Sequence, residues 1–280
     1  MIEVDIQGAT LRVASSSASS VGMVRAVNED AFVDAHPVFA IADGMGGHSR
    51  GDRASREIAL TLEELAARED PIGPEDVIDA IRDANDRVRA LAAADGPNVV
   101  SGSTLVGVAL VTALGGHAYW MAFNIGDSRI YAWDGRRLEQ LSVDHSVVQE
   151  LVEAGHITEE EARRHPDRNV VTRAIGGTST VDADVWMLPA TESRAFLLCS
   201  DGLTKELEDE QIADILAGHG GSADDPTVAQ ALVGAAEAAG GSDNVTVVLL
   251  ESVNREAAAS DTVDRFSRTA ERFEDTRPRV

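Results

Sequence analysis

Five aspartates in this chain stand where a carboxylate needs a physical reason. Asp43 follows the apolar run Val38-Phe39-Ala40-Ile41-Ala42 and is followed at once by Gly44, Met45, Gly46, Gly47 and His48. Asp201 repeats the pattern after Phe196-Leu197-Leu198-Cys199-Ser200, with Gly202 behind it. Asp30 closes Arg25-Ala26-Val27-Asn28-Glu29-Asp30, Asp127 sits in Gly126-Asp127-Ser128-Arg129, and Asp243 in Gly241-Ser242-Asp243-Asn244. An acid at the end of a buried strand costs desolvation energy unless a cation or donors satisfy it, and glycine lets the backbone approach a bound group closely. Singly, an Asp-Gly pair is a turn signal. Five acids tied to strand ends point instead to a shared cation site. An all-oxygen site suits Mg²⁺ or Mn²⁺. The lack of a His and Cys cluster near these acids argues against zinc.

The chain has 280 residues, 44% hydrophobic and 26% charged, with a formal net charge of −24. It is long enough for one large domain or two small ones. So strong an acidic excess argues against nucleic acid and against an anionic membrane surface, both of which need a basic patch. Cys199 is the one cysteine; it excludes an intramolecular disulfide and reads as a small core residue. No basic segment followed by an apolar core opens the chain, and no apolar segment approaches the ~20 residues needed to span a bilayer. A cytoplasmic, monomeric protein is the expectation.

The elements that must position these acids follow from periodicity. A first strand is expected over 9–14, then a serine-rich connection, then a polar segment over 21–34 that no strand core explains. A helix over 51–70 carries Ala54, Ile58, Leu62 and Leu65 on one face. Pro74-Glu75-Asp76 opens a second helix, with Val77, Ile78, Ile81, Ala84, Val88 and Leu91 at helical spacing. Strands are expected over 102–111, 118–124, 128–133, 196–199 and 245–250, several of them apolar without alternation and so buried on both faces. Residues 145–177 hold two short helical patterns and the basic run Arg163-Arg164-His165-Pro166-Asp167-Arg168, an excursion read as a flap. Late helices are expected over 209–216 and 227–239. The charged tail, 255–280, reads as frayed or partly helical.

The ordered set NED, DGMGGH, SGST, GDSR, DHS, TRAIG, SDG and DNVT, running from Gly22 to Val247, resembles the bacterial members of the metal-dependent protein phosphatase family, PPM or type 2C. The resemblance implies an α+β fold: a four-layer α-β-β-α sandwich of two antiparallel sheets flanked by helices, one phosphatase domain over 1–254 with a flap at 145–177. It implies hydrolysis of phosphoserine and phosphothreonine on proteins with Mn²⁺ or Mg²⁺, by direct attack of water shared by two ions, in opposition to a bacterial Ser/Thr kinase. The rival reading is a catalytically silent binding module of the same fold.

Roles carry over by position. Asp43 resembles the acid bridging two central metals, with the Gly44 carbonyl completing one shell. Asp201 and Asp243 resemble the ligands of one metal, and Glu29 and Asp30 those around the other. Asp127, with Asp201, resembles the pair for a third, weaker metal. Arg25 resembles the arginine that clamps the substrate phosphate, where a planar fork suits phosphate oxygens. His48 resembles the histidine that bacterial members keep in this motif, a candidate general acid or substrate-orienting group; its alternative is to cap the helix beginning near Arg50. His145 is expected at the base of the flap, and Ser103 and Thr104 as satisfied structural hydroxyls. Asn124, Ser128 and Arg129 are expected to shape the Asp127 loop, and Asn244 to hold the Asp243 loop. Arg173 is read as a surface ion pair or a contact to acidic partners.

Overall fold

Strands that are apolar at every position need cover on both faces, and alternation decides which residue meets which cover. The computed structural model describes residues 1–6, 9–46, 50–96, 101–113 and 115–254. One sheet runs in the order β1 (Ile2–Ile6), β2 (Ala9–Ser20), β12 (Val245–Asn254), β11 (Arg194–Cys199), β8 (Arg129–Trp133) and β9 (Leu138–Gln140). The other runs β10 (Asp184–Pro189), β7 (Ala118–Ile125), β6 (Leu105–Thr112), β4 (Val38–Met45) and β3 (Asp30–Ala35), with β5 (Gly102–Ser103) pairing β4. All of these pairings are antiparallel.

Three cores separate four layers. Val38, Ala40 and Ala42 of β4 face α1 (Arg50–Ala66) and α2 (Pro74–Asp95), packing with Ile58, Leu62, Val77 and Ile81. The intervening Phe39 and Ile41 face the other sheet and meet Phe196, Leu198, Val248 and Leu250. On the far side Leu197, Cys199, Val247 and Leu249 pack against Ile212 and Leu216 of α6 (Asp209–Gly218) and Val228 and Leu232 of α7 (Thr227–Ala239). The result is the expected four-layer sandwich, and it explains why these strands show no polar face. Cys199 is fully buried, as a core residue should be.

Most predicted elements are present, α7 with its expected ends and α2 with Pro74 in its first turn. Four differences have physical causes. The serine-rich segment is strand: β2 continues through Ser20 and pairs with β12 from Ser20↔Val245 to Leu11↔Asn254. Its small side chains let α7 lie close, and Ser16 Oγ accepts from the Ala229 N–H at 3.4 Å. The polar segment over 21–34 contains strand β3, whose inward Asp30 takes a core position. The apolar run of β4 extends two residues beyond Asp43, because Gly44 and Met45 pair with Ser103 and Gly102. β1 and β10 were not expected; β10 alternates Trp186 and Leu188 toward the inter-sheet core with Val185 and Met187 toward the helices. Between β9 and β10 the excursion carries α3 (Val147–Glu153) and α4 (Glu159–Ala162), each capped by a hydroxyl, Ser146 and Thr158. Residues 255–280, expected as a frayed tail, lie outside the described residues.

Candidate metal centre

The row Phe39, Ile41, Asp43 on β4 points at the opposite sheet, so Asp43 is an acid where the pattern calls for a core side chain. Asp30 is its direct cross-strand partner. From the facing sheet, β11 ends at Cys199 and Asp201 begins the one-turn helix α5 (Asp201–Thr204), while Asp243 lies just before β12. Asp127 lies in the turn between β7 and β8. Acids from both sheets thus converge on one edge of the sandwich. Their electrostatics record it: burial drives Asp43 well above the carboxylate range, and the charges of Asp30, Asp201 and Asp127 push it further. Burial likewise pushes Asp30 up to about 7 against the bonds from Thr246 and Ser200, with Asp201 and Asp243 adding to the rise. Asp127 is pushed up to about 7 by burial and by Asp201 and Asp144.

Each acid is held by its own scaffold. Asp30 Oδ2 accepts from Thr246 Oγ1 at 2.7 Å and Ser200 Oγ at 2.9 Å, both on the opposite sheet's side. The Asp43 N–H donates to Thr104 Oγ1 at 3.1 Å, and its carbonyl accepts from the Thr104 N–H and from Ser103 Oγ, each at 2.9 Å. Ser103 and Thr104 are therefore satisfied hydroxyls, as expected, and what they fix is the Asp43 backbone. The Gly44 N–H donates to the Glu29 carbonyl at 3.1 Å. A Cβ on Gly44 would stand 2.2 Å from the Gly51 carbonyl, so only glycine lets the strand end this close to the start of α1. The Asp127 turn is shaped by Asn124, whose Nδ2 donates to the carbonyls of Gly126 and Val143. Ser128 bonds Thr104, and Arg129 grips Asp144 through one guanidinium edge, Nε and Nη2.

Asn244 does more than hold its own loop. Its Oδ1 accepts from the Glu29 N–H at 2.9 Å and its Nδ2 donates to the carbonyls of Val21 and Val27, both at 3.0 Å. It thereby closes the loop that carries Arg25 and Glu29. Gly22, at φ +74, sits in that loop where a Cβ would meet the Asp243 carbonyl at 2.1 Å. Arg25 lies at the rim, its side chain 48% exposed, with a guanidinium nitrogen 2.9 Å from Asp243 Oδ1. His48 lies outside the described residues. His145 stands at the base of the excursion, as expected: Nδ1 accepts from the Gly126 N–H and Nε2 meets Asp184. Arg173 pairs with the same Asp184 at 2.6 Å.

The donor set fits a hard divalent cation. Glu29 Oε1, Asp30 Oδ1 and Asp201 Oδ1 are buried and take no hydrogen bond, a costly state for carboxylate oxygen that a cation relieves. Among the described residues no three His, Cys, Asp or Glu side chains stand close enough together to hold an ion as they are placed. Part of the negative charge is met by Lys205, which the sequence reading missed: Nζ lies 2.5 Å from Asp201 Oδ2 and 2.7 Å from Asp243 Oδ2. Burial works to raise the Asp243 carboxyl, but Lys205, the Asn244 N–H and Arg25 together hold the group below its ordinary value.

The Protein phosphatase 2C family model matches residues 23–262. The chain belongs to the protein phosphatase 2C family. It is similar to the serine/threonine phosphatase stp of Listeria welshimeri, at 34% identity over 239 residues, 82% of this chain and 92% of that protein. Its fold is that of the PPM Ser-Thr phosphatase MsPP from Mycobacterium smegmatis, solved in complex with cacodylate: TM-score 0.73 and 36% identity over 85% of this chain and 97% of that one. The catalytic domain of the serine threonine protein phosphatase PstP, solved in complex with 2 manganese ions, matches with TM-score 0.75 and 34% identity over 87% and 99% of the two chains. For this type 2C member, the signal that would have found Lys205 is its four-residue spacing from Asp201, which stacks the two side chains on one helical turn.

Proposed function

We propose that this chain hydrolyses phosphoserine and phosphothreonine esters on proteins, with Glu29, Asp30, Asp43, the Gly44 carbonyl, Asp127, Asp201 and Asp243 holding Mn²⁺ or Mg²⁺. The observation that carries the reading is the set of buried, unsatisfied carboxylate oxygens drawn to one edge from both sheets. Bound divalent ions supply an activated water and neutralise charge on the phosphoryl group. The chain's own residues do the rest. Asp43, buried at the end of β4 among Asp30, Asp201 and Asp127, would serve both central ions. Asp127, with Asp201, would hold a third and weaker ion. Arg25 stands half exposed at the rim, free to turn its planar fork from Asp243 onto a phosphate oxygen. His48 is the candidate donor of a proton to the leaving alkoxide.

A catalytically silent module finds no support: every acid that the family pattern asks for is present. The opposing enzyme is a Ser/Thr kinase, whose products are the substrates. No described helix is long and apolar enough to cross a membrane, and a monomer in the cytoplasm, one phosphatase domain with residues 145–177 as its flap, is the proposed form. The test is phosphate release from a phosphothreonine peptide with EDTA, Mg²⁺ or Mn²⁺ added in turn. Activity restored by metal alone supports the reading. A folded protein that binds Mn²⁺ and releases no phosphate refutes it.

A further inference from the structure

Lys205 directly follows α5, and its N–H donates to the Asp201 carbonyl at 2.8 Å, so its stem rises along the turn that Asp201 begins. The ammonium ends between two acids from different segments, 2.5 Å from Asp201 Oδ2 and 2.7 Å from Asp243 Oδ2. It takes one oxygen from each and leaves Asp201 Oδ1 buried without a partner. Its side chain is 27% exposed, so the flexible four-carbon stem has a path to solvent.

We propose that Lys205 is a tethered counter-cation for the Asp201–Asp243 pair. It holds the two ligands together before metal arrives, and a divalent ion must displace it to bind. The inference rests on the reading of Asp201 and Asp243 as metal ligands. A hard cation takes carboxylate oxygen at about 2.0–2.2 Å, and an ammonium hydrogen-bonded to the same two oxygens competes for the same lone pairs. The two cations also repel at such a distance, in a partly buried site where salt screens poorly. Lys205 therefore lowers the affinity of this position while preserving its shape. An ordinary structural ion pair would predict the opposite for metal binding: removing it would loosen the ligands and weaken the site.

The test uses the full chain, stripped of metal, with Lys205→Gln and Lys205→Met as neutral variants, Lys205→Arg as the charged control and Asp201→Asn as the ligand control. Mn²⁺ binding is read from the electron paramagnetic resonance of free Mn²⁺, and metal-free stability from thermal unfolding. Expected are affinity for Mn²⁺ raised about tenfold or more in the neutral variants, a lowered metal-free melting temperature in both, and near-native affinity in K205R. Folded neutral variants that bind Mn²⁺ no better than the wild type would overturn the proposal, as would an unchanged metal-free melting temperature. If D201N binds as well as the wild type, the ligand assignment itself fails and takes the proposal with it.

Discussion

Asp30 and Asp43 are direct partners across the β3–β4 ladder, two carboxylates on one face with the opposite sheet above them. Like charges placed so are destabilising, and the cost has a pH signature. The folded-state pKa of Asp30, and that of Asp127, is raised from 3.8 to about 7. A raised carboxyl binds its proton more tightly in the folded chain, so its stabilising contribution is complete below pH 3.8 and is lost as pH rises through about 7. Metal-free protein should therefore lose melting temperature between pH 5 and pH 8 on account of these groups. Saturating Mn²⁺ should remove or reverse that slope, because metal binding needs the ionised form. Melting curves at both pH values, with and without Mn²⁺, check it.

Asp43→Ala separates catalysis from folding. Turnover should fall about 1,000-fold or more, since the substitution removes charge stabilisation at the reacting centre. The same change deletes the most burdened carboxylate in the cluster, so the metal-free variant should melt no lower than the wild type. Substantial activity in D43A would contradict the bridging role.

Asp127→Ala should act more mildly, reducing turnover about tenfold while both central ions stay in place. Anomalous-scattering maps of Mn²⁺-soaked crystals distinguish the cases. A map in which this substitution empties the central sites would overturn the assignment of Asp127 to a separate ion.

Ser200 and Thr246 both donate to Asp30 Oδ2 and so favour its ionised form. Ser200→Ala and Thr246→Val should each lower Mn²⁺ affinity at neutral pH about 10- to 100-fold, measured by calorimetry. The deficit should shrink as pH is raised, because the carboxyl then ionises without their help.

Asn244→Ala strips a partner from the Glu29 N–H and from two carbonyls of the Arg25 loop. It should cost about 1–3 kcal/mol of stability and raise KM for a phosphopeptide more than it lowers kcat. Urea unfolding and steady-state kinetics give the two readings.

The site was legible in the sequence because an acid inside an apolar strand has few innocent explanations, and Asp43 and Asp201 show that plainly. The double-sided burial of β4, β6, β11 and β12 was legible for a similar reason: continuous Val, Leu and Ile leave no face for water. Serine-rich β2 was not. Ser15 to Ser20 pack as strand only because α7 lies close and β12 supplies hydrogen bonds, and neither is a local property. Asp30 hid β3 in the same way, since its alternation makes sense only with Thr246 and Ser200 above it. Asn244 was read only as the holder of its own loop, because Glu29 and Val27 lie far along the chain. Lys205 was missed although its spacing from Asp201 is local, and its second partner, Asp243, is distant in sequence.

The two sheets meet at this edge through ionisable groups where apolar side chains join them elsewhere. Asp30 belongs to one sheet and Thr246 to the other, and their bond is a rivet across the seam. A divalent ion held by Asp43 from one side and Asp201 from the other would fasten the same seam a second time. Cofactor supply then sets mechanical integrity as well as rate. An enzyme deprived of manganese would become a looser substrate for proteases, so its lifetime would follow the same ion that switches it on.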